Sequence, residues 1–407
     1  MENIGKMGKL FNETNEKFAK YCVPTYAPAK MFVRGEGARL WDDDGVEYLD
    51  FAAGISVCNL GHCNERVSRA IESQCRRLVH ISNLYMNDLM PVLAEKLAVS
   101  SGMPDAQVFF ANSGAEANEG MIKLARKYGN QTGRNTIISM DNSFHGRTLA
   151  TLAATGRAKY RKGFEPDMPG FKQVPFNDFD ALEKAVTPDV CAIMLELVQG
   201  EGGIYPADIE YLKKVRALCD EKDILMLSDE VQCGMGRIGT RFAFQSFGVI
   251  PDALSMAKAI ANGLPMGGFM ARKKFASLMT VGTHASTFGG TPLACAAALA
   301  VQEAFDKDGI LENTVEVGNY IMDKLSVFAD KYDFVQTVRG KGLMIGIVLT
   351  CNAAPLAGIL MKKNLITLTA GETVLRLLPP LTITKADADI AIARIGEALE
   401  EFAKEQK

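Results

Sequence analysis

From residue 61 onward the chain alternates short apolar runs with amphipathic stretches, and this alternation limits the fold more than any other feature. The runs at 136–140, 192–198, 224–228, 253–256 and 267–270 have the length of buried strands. Between two of them, residues 209–222 place Leu212, Val215, Leu218 and Cys219 on one helical face and the charges on the other. Strand, helix, strand repeats predict an α/β fold whose mostly parallel sheet is covered by helices, because a parallel sheet has both faces buried. Ahead of this region, 32–50 reads as a small β-meander broken by Gly35, Gly37 and the D-D-D-G turn at 42–45. From about 306, helices and short strands resume, with G-K-G at 340–342 and L-P-P-L at 378–381 as breaks and a charged closing helix from Lys385. The expected organisation is an N-terminal segment, 1–60, that joins the small domain, a large domain, 61–305, and a C-terminal small domain, 306–407.

In open α/β sheets, ligands bind outside the carboxyl ends of the strands, so polar residues at those ends are the first candidates for chemistry. The run I-L-M-L-S-D-E-V-Q delivers Asp229 and Glu230 there, and D-A-L-S-M is followed directly by Ala257-Lys258-Ala259. A lone amine is costly to desolvate unless it is paired or chemically used; forming an imine uses it, and desolvation brings its pKa toward neutrality. A carboxylate such as Asp229 could pair with a protonated ring nitrogen and keep that ring an electron sink. A third candidate is V-F-F-A-N-S-G-A-E-A-N-E at 108–119, where Ser113 and Glu116 form a capping box and Gly114 permits a tight turn. Free N–H groups and the helix dipole suit an anion there, a cofactor phosphate in particular. Taken singly, each has an ordinary explanation: a plain helix cap, a solvated acidic turn, a snorkelling lysine.

One motif misleads. Residues 234–239 match G-x-G-x-x-G with Asp252 downstream, which suggests a nicotinamide site. That motif should open a long helix, whereas Gly239, Gly248 and Pro251 leave room for a short piece only, and Asp229 and Glu230 would repel a pyrophosphate. A glycine-bent loop is the better reading.

Composition narrows the classes. At 407 residues and roughly 100 to 200 per domain, two or three compact units are expected. A balance of 45 basic against 48 acidic residues, net −3, gives no ground for nucleic-acid binding. The nine cysteines stand singly, without a C-x-x-C pair, and read as reduced and mostly packed; four histidines without helical ligand spacing offer little for a metal. The first thirty residues carry Lys6, Lys9, Glu13, Glu16, Lys17 and Lys20 but neither an apolar signal core nor transit-peptide arginines, and the longest apolar stretch, 293–301, is short of the roughly 18 residues of a span. The expectation is a cytoplasmic protein with small-molecule partners, no nucleic acid and no membrane.

Several motifs in order resemble the fold-type-I, class-III aminotransferases across most of the chain. They are G-H-C-N at 61–64, H-I-S-N at 80–83, N-S-G-A-E-A-N at 112–118, S-F-H-G-R-T at 143–148, Q-G-E-G-G at 199–203, D-E-V-Q-C-G-M-G-R at 229–237, A-K-A at 257–259 and S-T-F-G-G-T-P-L-A at 286–294. The run at 194–198 departs from the family's E-P-hydrophobic-Q. The resemblance implies a large domain with a mostly parallel sheet, a small α+β domain, and pyridoxal 5′-phosphate as cofactor. It implies that Ser113, Gly114 and Ala115 hold the phosphate, Phe144 stacks on the ring with His145 nearby, and Asp229, Glu230, Val231 and Gln232 serve the ring, Asp229 at its nitrogen and Gln232 at its hydroxyl. Lys258 would bind the cofactor covalently and, with Asp229, carry the catalysis; Thr287 would reach the phosphate of a neighbouring subunit in a homodimer. Arg147 and Arg376 would grip substrate carboxylates, with Glu201 pairing Arg376 and Ser286 beside the substrate. The implied reaction moves the ω-amino group of N2-acetyl-L-ornithine to 2-oxoglutarate. Succinylornithine, succinyl-diaminopimelate, ornithine, 4-aminobutyrate or a diamine are the alternative donors.

Overall fold

The structure, a computed structural model, describes residues 9–405; Lys6 lies outside them. Its centre is a seven-stranded sheet of β1 (Gln107–Ala111), β2 (Thr136–Met140), β3 (Phe171–Val174), β4 (Val190–Glu196), β5 (Leu225–Asp229), β6 (Ala253–Met256) and β7 (Gly267–Ala271), in the order β1-β7-β6-β5-β4-β2-β3. Every pair from β6 to β3 is parallel, with Leu227 opposite Ala253 on one side and Met194 on the other. β7 runs antiparallel to both neighbours, because the link 257–266 is too short for the crossover that a parallel return needs. Gly267 opens β7 where any Cβ would collide with the Ser113 carbonyl, so the strand and the start of the next helix can touch.

One expected strand divides, and one strand was not expected. The run 192–198 divides: β4 stops at Glu196 and Val198–Gln199 starts a two-stranded ribbon with Tyr205–Pro206. The reason is the Glu196 side chain, which accepts from Phe144 N at 2.9 Å and Gly200 N at 3.1 Å and turns the chain there. β3 escaped the sequence reading because F-K-Q-V lies at the sheet edge, three of its four residues only half-buried. Helix α1 (Gly114–Gly129) buries Ala117, Met121, Leu124 and Ala125, and α2 (Ile209–Lys222) has the bounds its periodicity predicts. The capping box at Ser113 is only half formed: Ser113 accepts from Glu116 N at 3.2 Å, but the Glu116 carboxylate reaches Asn112 N at 2.7 Å instead of returning to Ser113.

The meander is present as Phe32–Glu36, Arg39–Asp42 and Glu47–Asp50, and Leu365–Ile366 from far along the chain joins it in parallel. A third sheet packs Val335–Lys341, Met344–Leu349, Val374–Leu377 and Leu368–Ala370 antiparallel. The G-K-G break turns out to be the close of a hairpin, with Gly342 at φ +56°. Arg237, from the misleading glycine motif, joins these parts: fully buried, it donates to Ser56 Oγ at 2.9 Å, to the carbonyls of Leu343 at 2.8 Å and Pro379 at 2.7 Å, and to Asn59. Burial brings its guanidinium down to about 9. The cysteines are less packed than expected: Cys191, Cys219, Cys233 and Cys295 are buried and the other five are not. Among the described residues no helix is long and apolar enough to cross a membrane.

Candidate active site

The carboxyl ends of β1, β2, β4, β5 and β6 meet at one edge of the central sheet, and there they enclose a cavity of about 410 Å³. That volume lies in the range of small-ligand sites. Asp229 closes β5 and is held by four donors. Its Oδ2 accepts from Asn118 Nδ2 at 2.7 Å and meets His145 Nδ1 at 2.7 Å; its Oδ1 accepts from Val231 N at 3.0 Å and Ser255 Oγ at 3.3 Å. Asn118 also bonds the His145 carbonyl at 2.7 Å, so one amide fixes two site residues. Sequence reasoning gave Asn118 no role, although an asparagine among Ala117 and Met121 on the buried face of α1 was the available signal.

Lys258 follows β6 with φ at +48°, a left-handed conformation that only firm surroundings keep for a non-glycine residue. Its side chain lines the cavity. Burial brings the amine down to about 8, against the pull of Glu201 and with the push of Arg376. Ser113, Gly114 and Ala115 line one end of the cavity at the N-terminus of α1, while Phe144, His145, Val231 and Gln232 line its walls. Phe144 is steadied edge-on by Tyr160, ring centroids 5.9 Å apart at 87°, and by its own N–H on Glu196. Burial pushes the Glu196 carboxyl upward.

Two observations test whether a phosphorylated pyridine fits. At Gly114 a Cβ would lie 2.7 Å from Val231 Cγ1, so the helix start and the wall are already in contact and nothing larger can stand between them. The His145 Nε2 and Asn118 Oδ1 atoms are buried without a partner, as expected of a polar floor built for a guest. The residues present fit the group. Because overpacking costs about 1 to 3 kcal/mol, Gly114→Val should weaken cofactor binding about tenfold or more; fluorescence titration of the cofactor-free protein would check this, and an unchanged affinity would move the phosphate elsewhere.

Arg376, 2% exposed, donates from Nη1 to Glu201 Oε1 at 2.5 Å and to Gln232 Oε1 at 3.1 Å. Burial would raise the Glu201 carboxyl, but the Arg376 charge prevails and holds it below its ordinary value. Arg147 is exposed at the cavity mouth, its guanidinium 3.9 Å above the Tyr160 ring, and among the described residues it pairs with no carboxylate. That leaves it available to an acidic ligand.

Of the predicted residues, Glu201, Arg376, Glu230, Ser286 and Thr287 are not among those that line the cavity, although Arg376 adjoins it through Gln232. Glu230 does not line the cavity: its carboxylate accepts from Ala243 N and Phe244 N, where burial raises it to about 7. Ser286 and the exposed Thr287 line a neighbouring pocket of about 320 Å³ that shares Asn112 with the main one, Asn112 Nδ2 lying 3.2 Å from Ser286 Oγ. Asp252, downstream of the glycine motif, pairs with Arg216 at 2.8 Å and accepts from Met226 N at 2.9 Å. The helix after the glycine motif is the five residues Ala243–Phe247.

Residues 23–399 match the family described as Aminotransferase class-III. The chain is 49% identical over 389 residues to the acetylornithine aminotransferase of Methanocaldococcus jannaschii, covering 95% of this chain and 97% of that one. Among solved structures, the ornithine aminotransferase from Toxoplasma gondii ME49 superposes with a TM-score of 0.93 at 29% identity, covering 99% of this chain and 97% of the other. The N-acetylornithine aminotransferase from Stenotrophomonas maltophilia K279a superposes at 0.83 with 35% identity, covering 96% and 99%.

Proposed function

The chain belongs to the class-III aminotransferases, enzymes dependent on pyridoxal 5′-phosphate, and from that premise we propose that it moves the ω-amino group of N2-acetyl-L-ornithine to 2-oxoglutarate, giving N-acetylglutamate 5-semialdehyde and glutamate. The names of its relatives support the donor, and the observation that carries the reading is the buried Glu201 to Arg376 pair. An ω-amine approaches with no carboxylate next to the reacting carbon, so an unmasked Arg376 would stand as an uncompensated buried charge. Glu201 neutralises it. 2-Oxoglutarate does carry a carboxylate there, and Arg376 takes it in a bidentate grip once Glu201 swings aside. Arg147 receives the far carboxylate of either substrate, so one pocket serves both halves of a ping-pong cycle.

When bound, the cofactor supplies an electron sink for the carbon that loses its proton. Asp229 keeps the ring nitrogen protonated, and Asn118 and His145 keep Asp229 aimed. Lys258 Nζ, brought toward neutrality by burial, would take the proton from the substrate carbon and give it back as general base and acid. Phe144 and Val231, which line the cavity, would hold the ring and exclude water. Thr287 reaches the phosphate site of a partner copy, so the active form is a homodimer. The setting is arginine biosynthesis in the cytoplasm.

The test is a donor panel with 2-oxoglutarate as acceptor. N-acetylornithine should give the highest kcat/KM, ahead of succinylornithine, succinyl-diaminopimelate, ornithine, 4-aminobutyrate and diamines. A higher value for any of these would replace the donor and leave the chemistry.

A further inference from the structure

Glu201 rides on the tip of the ribbon Val198–Gln199 and Tyr205–Pro206, and the backbone of that tip is strained. Ile204 sits at φ +54°, a left-handed conformation that a β-branched residue adopts only under constraint. The constraint comes from Arg339. Its guanidinium donates to the carbonyls of Gly203 at 2.8 Å and Ile204 at 3.0 Å, and it lies 4.4 Å over the Tyr205 ring. Among the described residues Arg339 pairs with no carboxylate, so its fork is committed to the ribbon.

The register of the third sheet gives this contact its meaning. Arg339 pairs with Gly346, and Gly346 pairs with Arg376 on the next strand, so the two arginines stand in one row with a glycine between them. A Cβ at Gly346 would lie 3.0 Å from Ile204 Cβ, so the fully buried Ile204 plugs the notch in that row. One arginine thus grips the backbone of the tip while the other grips its acid. The Glu201 carbonyl is fixed as well, by Arg157 Nη1 at 2.7 Å and Gly371 N at 3.0 Å, which leaves the side chain as the moving part.

We propose that Arg339 is a positioning residue for the two half-reactions: by holding Ile204 in the Gly346 notch it keeps the Glu201 carboxylate in register with Arg376, and so sets the balance between ω-amine donors and dicarboxylates. This rests on the reading that Glu201 masks Arg376. Without the fork the tip relaxes toward ordinary backbone angles, the mask loosens, and Arg376 is more often free.

The test compares Arg339→Gln and Arg339→Lys with wild type in single-turnover half-reactions, one with glutamate and one with whichever ω-amine the donor panel ranks first. Losing a charged hydrogen bond should lower the ω-amine rate relative to the glutamate rate about tenfold. By calorimetry, the non-reacting dicarboxylate glutarate should bind more tightly. In a Glu201→Ala background the same change should leave the ratio within about twofold, since the residue acts through Glu201. If both half-reactions fall together, or the ratio shifts equally without Glu201, Arg339 is merely structural and the proposal fails. Failure of the donor assignment alone would show as a different best ω-amine, with the ratio still measurable.

Discussion

Lys258→Ala is expected to fold normally and to lose about 10³ to 10⁴ in kcat, the upper range of what a positioned acid and base supplies. The argument runs through burial. The amine is partly buried in the cavity just after β6, and desolvation there lowers its hold on a proton to about 8. No nearby group replaces it: Glu201 is occupied by Arg376, Asp229 by its four donors, and His145 lies behind Asp229. Removing a desolvated amine should leave the melting temperature unchanged or raise it, so the loss will not reflect unfolding. A small exogenous amine should restore part of the rate. Activity within tenfold of wild type would mean that another group moves the proton.

Asp229→Asn tests the other half of the machinery. The amide keeps the shape and, with its oxygen toward Val231 N and Ser255 Oγ, those two contacts, but it loses the one from Asn118 and removes the charge that would hold a proton on the ring nitrogen. Fixed electrostatic partners of this kind contribute about 10² to 10³ in kcat, and a loss of that size is expected with the fold and cofactor affinity largely retained. Asp229→Glu should recover part of it if charge matters more than reach. An equal loss in Asp229→Glu and Asp229→Asn would make Asp229 a packing residue.

How much of this was legible beforehand depends on whether a residue's role is local. Asp229, Lys258 and Ser113 could be read because each ends an almost wholly apolar strand or opens a helix, where a polar group has little to face except a ligand. Glu230 was misread through its neighbour: the strand ends at Asp229, and the carboxylate of the next residue is taken up by Ala243 N and Phe244 N instead of facing what Asp229 touches. Glu196 gave no signal and Asn118 only its place on a buried helix face, for a different reason. Their partners, Asp229 and Phe144, lie 111 and 52 residues away, and only strand order brings them close. The row of Arg339, Gly346 and Arg376 depends on register across three strands, which hydrophobic patterning does not encode. The sheet itself was plain, apart from its exposed edge strand and the split at Glu196.

Arg237 carries a consequence for how the chain is made. Its guanidinium needs Ser56 and Asn59, which leave the ribosome early, and the carbonyls of Leu343 and Pro379, which leave late. Until residue 379 has emerged, a charge destined for the interior lacks at least one of its four partners and must stay hydrated. The meander waits in the same way for Leu365–Ile366. Segments made later therefore seal segments made earlier, and a ribosome that stalls between residues 237 and 379 leaves a nascent chain with an open seam for chaperones to guard.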